Sequence, residues 1–359
     1  MSVDLSILPD GIRPTAESLM NKFKYEKYFE NGSNGYVLVG INKITDQRIV
    51  VKFYYWGEGS HLEPKFLCKL DSPYILPVLD ASAINKDDAY FVTKYCEYGD
   101  LHEYIERGCI GVLQAVDIIT GVANGVNDIH SANLIHRDLK PSNIFCASEN
   151  RFVIGDFGSV VERNDQGYAE TTSKHSLLYR TPEETTNGRA YPQGDIYQIG
   201  MILFQMLGGR LPYIETEWLT VKELAIYHTK PQPENQFYAN SVIENKIKIG
   251  KLLDYSSLPS WIPSSLIRVV RKCCRMQISD RYNSASELIV DLSNLRSSLP
   301  DWRLEPDPIL YKSNGNFRLV ESGAKYLVEK KVGEHSAWRK QKKHPAMSLA
   351  QAVKLVENL

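Results

Sequence analysis

Apolar and polar positions change period along the chain. Residues 23 to 55 read as strands: YVLVGINKITDQRIVVKFYY runs through β-branched and aromatic residues and breaks at Thr45-Asp46-Gln47, where a turn is expected. A second strand-rich stretch is expected at Ile75 to Val78 and Ala89 to Tyr95. From Leu101 the spacing becomes helical. Ile105, Ile118, Ile119, Val122 and Val126 fall on a helical repeat, and helices are expected to about Leu299. Strands first and helices afterwards predict an α+β chain, with a small sheet-based lobe followed by a larger helical one. The most apolar run, Ile196 to Leu207, is about a dozen residues where a membrane span needs ~20, so it reads as a buried helix and no span is expected.

Residues 1–21 read as an N-terminal extension. PDWRLEPDP at 300–308 carries three prolines and reads as a linker. Beyond it, 309–359 reads as a small β/α module: strand, Asn314-Gly315 turn, strand, Ser322-Gly323 turn, strand, then an amphipathic helix capped by Ser348. From Asp301 onward there are 11 Lys/Arg and 7 Asp/Glu, so the tail is net +4. The whole chain is −1, from 42 basic and 43 acidic residues, which argues against a molecule-wide binder of nucleic acid. Apolar residues at 43% and charged at 24% exclude a wholly disordered chain. Cys68, Cys96, Cys109, Cys146, Cys273 and Cys274 show no CxxC and no zinc spacing, so reduced thiols in a cytoplasmic protein are expected. MSVDLSILPDGIRP has no basic residue followed by an apolar run, so no signal peptide is expected.

Chemistry concentrates in His136-Arg137-Asp138-Leu139-Lys140-Pro141-Ser142-Asn143. An aspartate, a lysine and an asparagine stand together on one loop. The segment resembles the catalytic loop of protein kinases without a mismatch. Thirteen residues after Asn143 comes Asp156-Phe157-Gly158, at the distance where that family places its second metal ligand. Ser176-Leu-Leu-Tyr179-Arg-Thr181-Pro-Glu183 resembles the family's T-x-x-Y-x-A-P-E, with Ser176 for Thr and Thr181 for Ala. Asp195-Ile-Tyr-Gln-Ile-Gly200 resembles the buried helix whose Asp supports the loop backbone.

The resemblance covers about residues 22 to 299 and implies a bilobal kinase fold, with a small lobe at 22–95 and a large lobe at 96–299. It implies a serine/threonine kinase using ATP and Mg²⁺, or Mn²⁺ in its place, on a protein substrate. Asp138, Lys140, Lys52 and Glu63 would be catalytic, and Asn143 and Asp156 would hold metal. Lys140 with Pro141 after Asp138 points to the serine/threonine type. Glu183, Asp195 and Arg281 would be structural, Glu183 pairing with Arg281. Arg137 would receive a phosphate on Thr171, Thr172 or Ser173, through charge-assisted bonds.

Upstream the match is looser. Glu30 to Val37 aligns with G-x-G-x-x-G-x-V, with Glu30 for the first glycine and Gly32 and Gly35 kept. Lys52 ends Ile49-Val-Val-Lys, read with Val51 in the family's alanine position. Ten residues separate Lys52 from Glu63, which stands in a Ser60-x-x-Glu63 capping pattern followed by Pro64 and so in the first turn of its helix or just before it. Glu58 is the substitute. The resemblance implies a nucleotide pocket of Val37, Val51, Thr93, Lys94, Cys96, Asp100 and Phe145. Residues 213–240 exceed the family's usual length and, with 309–359, are where an activator or docking partner would bind. A non-catalytic scaffold of the same fold is the rival, as is a small-molecule kinase. Lys52, Asp138, Asn143 and Asp156 together argue against the first, and the Asp-x-Lys-Pro-x-Asn pattern against the second.

Overall fold

The computed structural model describes residues 3–30, 35–55, 70–108, 110–171, 176–333 and 335–359. The small lobe is a five-stranded antiparallel sheet in the order β1-β2-β3-β5-β4, with β1 Phe23–Glu30, β2 Tyr36–Asn42, β3 Arg48–Tyr55, β4 Val78–Ala83 and β5 Asp88–Lys94. Val37 stands opposite Lys52, Lys52 opposite Phe91, and Val50 opposite Thr93. Side chains alternate across a pleated strand. One face therefore carries Val37, Val50, Lys52, Phe91 and Thr93, and the other Leu38, Ile49, Val51, Phe53 and Val92.

That second face is not left to solvent. A helix at Arg13–Leu19 and the turn before it bring Leu5, Leu8, Ile12, Ala16 and Leu19 into one core with Leu38, Ile49, Val51, Phe53 and Val92. Tyr25 donates its hydroxyl to the Ala16 carbonyl at 3.1 Å. The segment read as an extension is thus the second layer of the small lobe. The strand expected at Ile75 to Val78 lies later: Ile75 makes an isolated bridge to Ile154, and β4 starts at Val78. β4 is an edge strand, exposed from Leu79 to Ala83, so no apolar alternation marked it.

The large lobe packs around Pro192–Met206, a helix buried on nearly every side, with Val112–Ser131 beside it. Its apolar run is a core helix, as expected. No described helix is long and apolar enough to cross a membrane. The long segment after it is helical: Val221–Thr229, started by a Thr220/Glu223 capping box, and Glu234–Lys248. The lobes join where the Leu76 amide donates to the Ile154 carbonyl and the Ile154 amide to the Tyr74 carbonyl, each at 2.8 Å.

The linker reading of 300–308 is corrected. Asp301–Glu305 and Asp307–Tyr311 are the first two strands of a second antiparallel sheet, continued by Asn316–Ser322, Lys325–Lys331 and Arg339–Lys340. Pro306 sits in the turn between the first two, and Pro308 lies outside the pairing with the third, so the prolines punctuate the sheet without breaking it. Helix Leu349–Asn358 begins with a Ser348/Gln351 capping box. Trp302 is 1% exposed, 6.4 Å ring to ring from Trp261 of the large lobe, and its Nε1 donates to Glu357 Oε1 at 2.9 Å. The tail therefore shares the large lobe's core.

Trp302→Ala should cost about 3–5 kcal/mol, the range for truncating a buried large aromatic. Denaturant unfolding would show a lower midpoint in one transition. An unchanged midpoint would restore the linker reading.

Candidate active site

The loop 136–143 hangs from the core helix. Asp195, fully buried, accepts the His136 amide at 2.9 Å, the Arg137 amide at 2.8 Å and His130 Nε2 at 2.8 Å. Burial alone would raise its carboxyl, but the His130 bond, the nearby histidines and the backbone donors outweigh it and hold the carboxyl below the usual range. These bonds fix Arg137 at φ 72°, a left-handed conformation that costs a non-glycine residue energy.

With the backbone fixed, the side chains converge. Lys140 Nζ lies 2.7 Å from Asp138 Oδ2. Asn143 Nδ2 donates to the Asp138 carbonyl at 2.7 Å and to its Oδ2 at 3.1 Å. The other oxygen, Oδ1, is buried with no hydrogen-bond partner among the described residues. A buried carboxylate oxygen left unpaired is costly, and at the mouth of a site it is an acceptor held ready for a ligand's proton. Asp156 is also left-handed, at φ 55°, and its Oδ1 meets Lys52 Nζ at 3.0 Å across the lobes. Burial opposes ionisation of Asp156, but the Lys52 charge and bond outweigh it and keep the carboxyl below the usual range. Burial pushes His136 down, and its Nε2 donates to the Gly155 carbonyl at 3.3 Å. The donors fit a hard cation that shares phosphate oxygens: Asp156 supplies a carboxylate, and Asn143, its nitrogen committed to Asp138, an amide oxygen.

The pocket residues divide. Val37, Lys52 and Thr93 lie on the sheet face that looks toward Asp156, with Thr93 buried. Val51 does not. Pleat alternation turns it to the opposite face, against the N-terminal segment, and Val50 takes the place assigned to it. Gly35, at φ 105°, is required by close approach of the neighbouring strand β3: a Cβ would fall 2.0 Å from the Phe53 carbonyl oxygen. Lys94 ends β5, and the Gly99 amide donates to the Cys96 carbonyl at 3.2 Å in the connection between lobes. Burial pushes the Cys96 thiol up to about 11. Asp100 caps helix Leu101–Glu106, accepting the Glu103 amide at 2.9 Å, a role its sequence position did not announce. Phe145 packs on Gly155, where a Cβ would meet its ring at 2.7 Å. Gly32, Glu58, Glu63, Thr172 and Ser173, and the side chain of Glu30, lie outside the described residues.

Glu183 and Arg281 form a bidentate buried pair at 2.8 and 2.7 Å. Arg281 also donates to the carbonyls of Arg275 and Gln193, so its fork is satisfied. The Arg137 guanidinium meets the Thr171 hydroxyl, the Ser159 carbonyl at 3.2 Å and Glu184 Oε1 at 3.2 Å. Sequence reasoning missed two residues here. Glu184 is one. Gln198 is the other: its Oε1 accepts the Leu139 amide at 2.9 Å, and its Nε2 donates to the Arg137 carbonyl at 2.6 Å and the Tyr179 carbonyl at 3.0 Å. It braces the backbone on both sides of Asp138. The available signal was a glutamine one turn after Asp195 in the same buried helix.

Residues 23–291 match the family described as protein kinase domain. The chain belongs to the protein kinase family. The kinase domain is similar to the probable serine/threonine-protein kinase PknB of Lactococcus lactis, 25% identical over 75% of this chain and 40% of that protein. It is 24% identical to a probable serine/threonine-protein kinase of Clostridium acetobutylicum, over 87% of this chain and 46% of the relative. It is 31% identical to the serine/threonine protein kinase OSK3 of rice, over 51% and 37%. The chain thus spans less than half the length of these curated relatives.

Gln198→Leu would strand three backbone groups, each costing about 1–3 kcal/mol when buried and unpaired. Turnover should fall at least about tenfold with KM for nucleotide little changed. Steady-state kinetics beside a melting curve checks this, and unchanged kcat in a folded variant refutes it. Arg281→Met should cost about 3–5 kcal/mol by leaving Glu183 alone, and Glu183→Leu with Arg281→Met clearly less. Denaturant midpoints of the single and double variants decide it.

Proposed function

We propose that the chain is a serine/threonine protein kinase that transfers the γ-phosphate of ATP, with Mg²⁺ or Mn²⁺, to protein hydroxyls, including its own activation segment. The observation that carries this reading is the unpaired Asp138 Oδ1, buried beside Lys140, Asn143 and the Lys52–Asp156 pair. The names of the relatives support the same chemistry and the serine/threonine type.

When bound, the metal–nucleotide complex supplies the phosphoryl group and neutralises its charge. Asp138 orients the substrate hydroxyl and takes its proton at Oδ1. Lys140, within 2.7 Å of the same carboxylate, offsets charge that develops as the proton leaves. Asn143 and Asp156 hold the cation. Lys52 positions phosphate oxygens, and its bond to Asp156 sets both groups before ligand arrives. Val37, Val50 and Phe145 provide apolar walls beside the buried Thr93. Free thiols at Cys96, Cys146, Cys273 and Cys274 fit a cytoplasmic location.

Incubation with Mg²⁺ and γ-labelled ATP, alone and with a generic basic protein, should label serine or threonine, and Asp138→Ala should abolish the label. A thermal shift on adding ATP without label would support the scaffold reading instead. The absence of both label and shift would refute nucleotide binding itself.

A further inference from the structure

Arg137 lies deep in the structure, and the anion that holds it matters. Its side chain is 4% exposed, and that of Glu184 8%. A guanidinium so buried is strongly unfavourable without a counter-charge. The neighbouring carboxylates are committed elsewhere: Glu183 is bidentate to Arg281, and Asp195 takes two backbone amides and His130. Glu184 is turned to the guanidinium, with Oε1 3.2 Å from Arg137 Nε, while its Oε2 stays 3.4 Å from the Thr181 hydroxyl. Through the same guanidinium, Arg137 reaches Ser159, three residues past Asp156, and Thr171 of the activation segment. One side chain thus links the residue before Asp138, the metal-ligand loop, the segment and the helix Pro182–Asn187.

We propose that Glu184 is a positioning residue: a carboxylate carried by the chain that holds Arg137, and through it the activation segment, in the place a segment phosphate would otherwise fill. The inference rests on the phosphotransfer reading and adds its regulation. A phosphate on Thr171 would meet an arginine whose charge is already answered. Basal turnover then needs no prior phosphorylation. The bland role for Glu184 is to brace the N-cap of its own helix: Thr181 Oγ1 accepts the Glu184 amide at 3.3 Å, and Glu184 Oε2 lies 3.4 Å from the same hydroxyl. The two roles separate experimentally, because a second anion at position 171 can reach Arg137 but cannot serve the cap.

The test uses the full chain after phosphatase treatment, with an unphosphorylated segment verified by mass spectrometry. Wild type, Glu184→Gln and Glu184→Gln/Thr171→Asp are compared in two ways. One is limited proteolysis between Arg163 and Arg180 without nucleotide. The other is the initial rate of transfer to a generic basic protein, with Asp138→Ala as the blank. Wild type should resist cleavage and begin transfer without a lag. Glu184→Gln should be cut faster and lose about tenfold in kcat with KM for ATP within about twofold, and Thr171→Asp should restore both readouts. A wild-type lag removed by preincubation with ATP overturns the proposal. So does a Glu184→Gln variant with unchanged cleavage and kcat, or a double variant that is not restored. Should Glu184→Gln fail to fold, the lag measurement on wild type decides. Should wild type transfer no phosphate, the phosphotransfer reading fails, while the cleavage pattern still judges Glu184.

Discussion

The buried carboxylate of Asp195 is the interaction on which the site depends. It takes the amides of His136 and Arg137 together, which bends the backbone into a left-handed turn just before Asp138. A carboxylate with no solvent is tolerable only when its lone pairs are filled, and three donors fill them here. The strain at Arg137 persists because the surroundings over-determine it. Gln198, one turn along the same helix, adds bonds on both sides of Asp138. The loop 136–143 is therefore suspended from a helix buried on nearly every side, and site geometry and core packing are one problem.

The small lobe supplies the other half of the site by a different device. Its sheet is sandwiched between the cleft and the N-terminal segment, so strand register decides which residues face the cleft. Lys52 enters from that face and meets Asp156 at 3.0 Å. Support is delegated outward. Glu183 and Arg281 lock the end of the activation segment to the lower core, and Trp302 anchors the tail sheet there. These contacts touch no reacting group, yet they set the platform on which the loop is hung.

That Asp138, Lys140 and Asn143 stand together was legible in the sequence because they lie within one short motif, whose backbone keeps them close. The helix at Ser348 and the two Asn-Gly and Ser-Gly turns of the tail were legible because caps and turns are local. Val51 was misplaced by one position, which in a strand means the opposite face. β4 escaped because an exposed edge strand needs no apolar alternation. The prolines of 300–308 read as a boundary, although proline is equally at home at a hairpin turn.

The sequence by itself determined the lobe order and the two short motifs around Asp138 and Asp156, since each motif is written within a few consecutive residues. The tertiary structure alone decided what the charged and polar side chains meet. Glu184 lies 47 residues from Arg137, Thr171 lies 34, and Gln198 braces a loop 59 residues upstream. Such pairings have no local signature. They arise because a buried charge or amide must find a partner once the core has closed around it, and only the folded chain says which one is within reach.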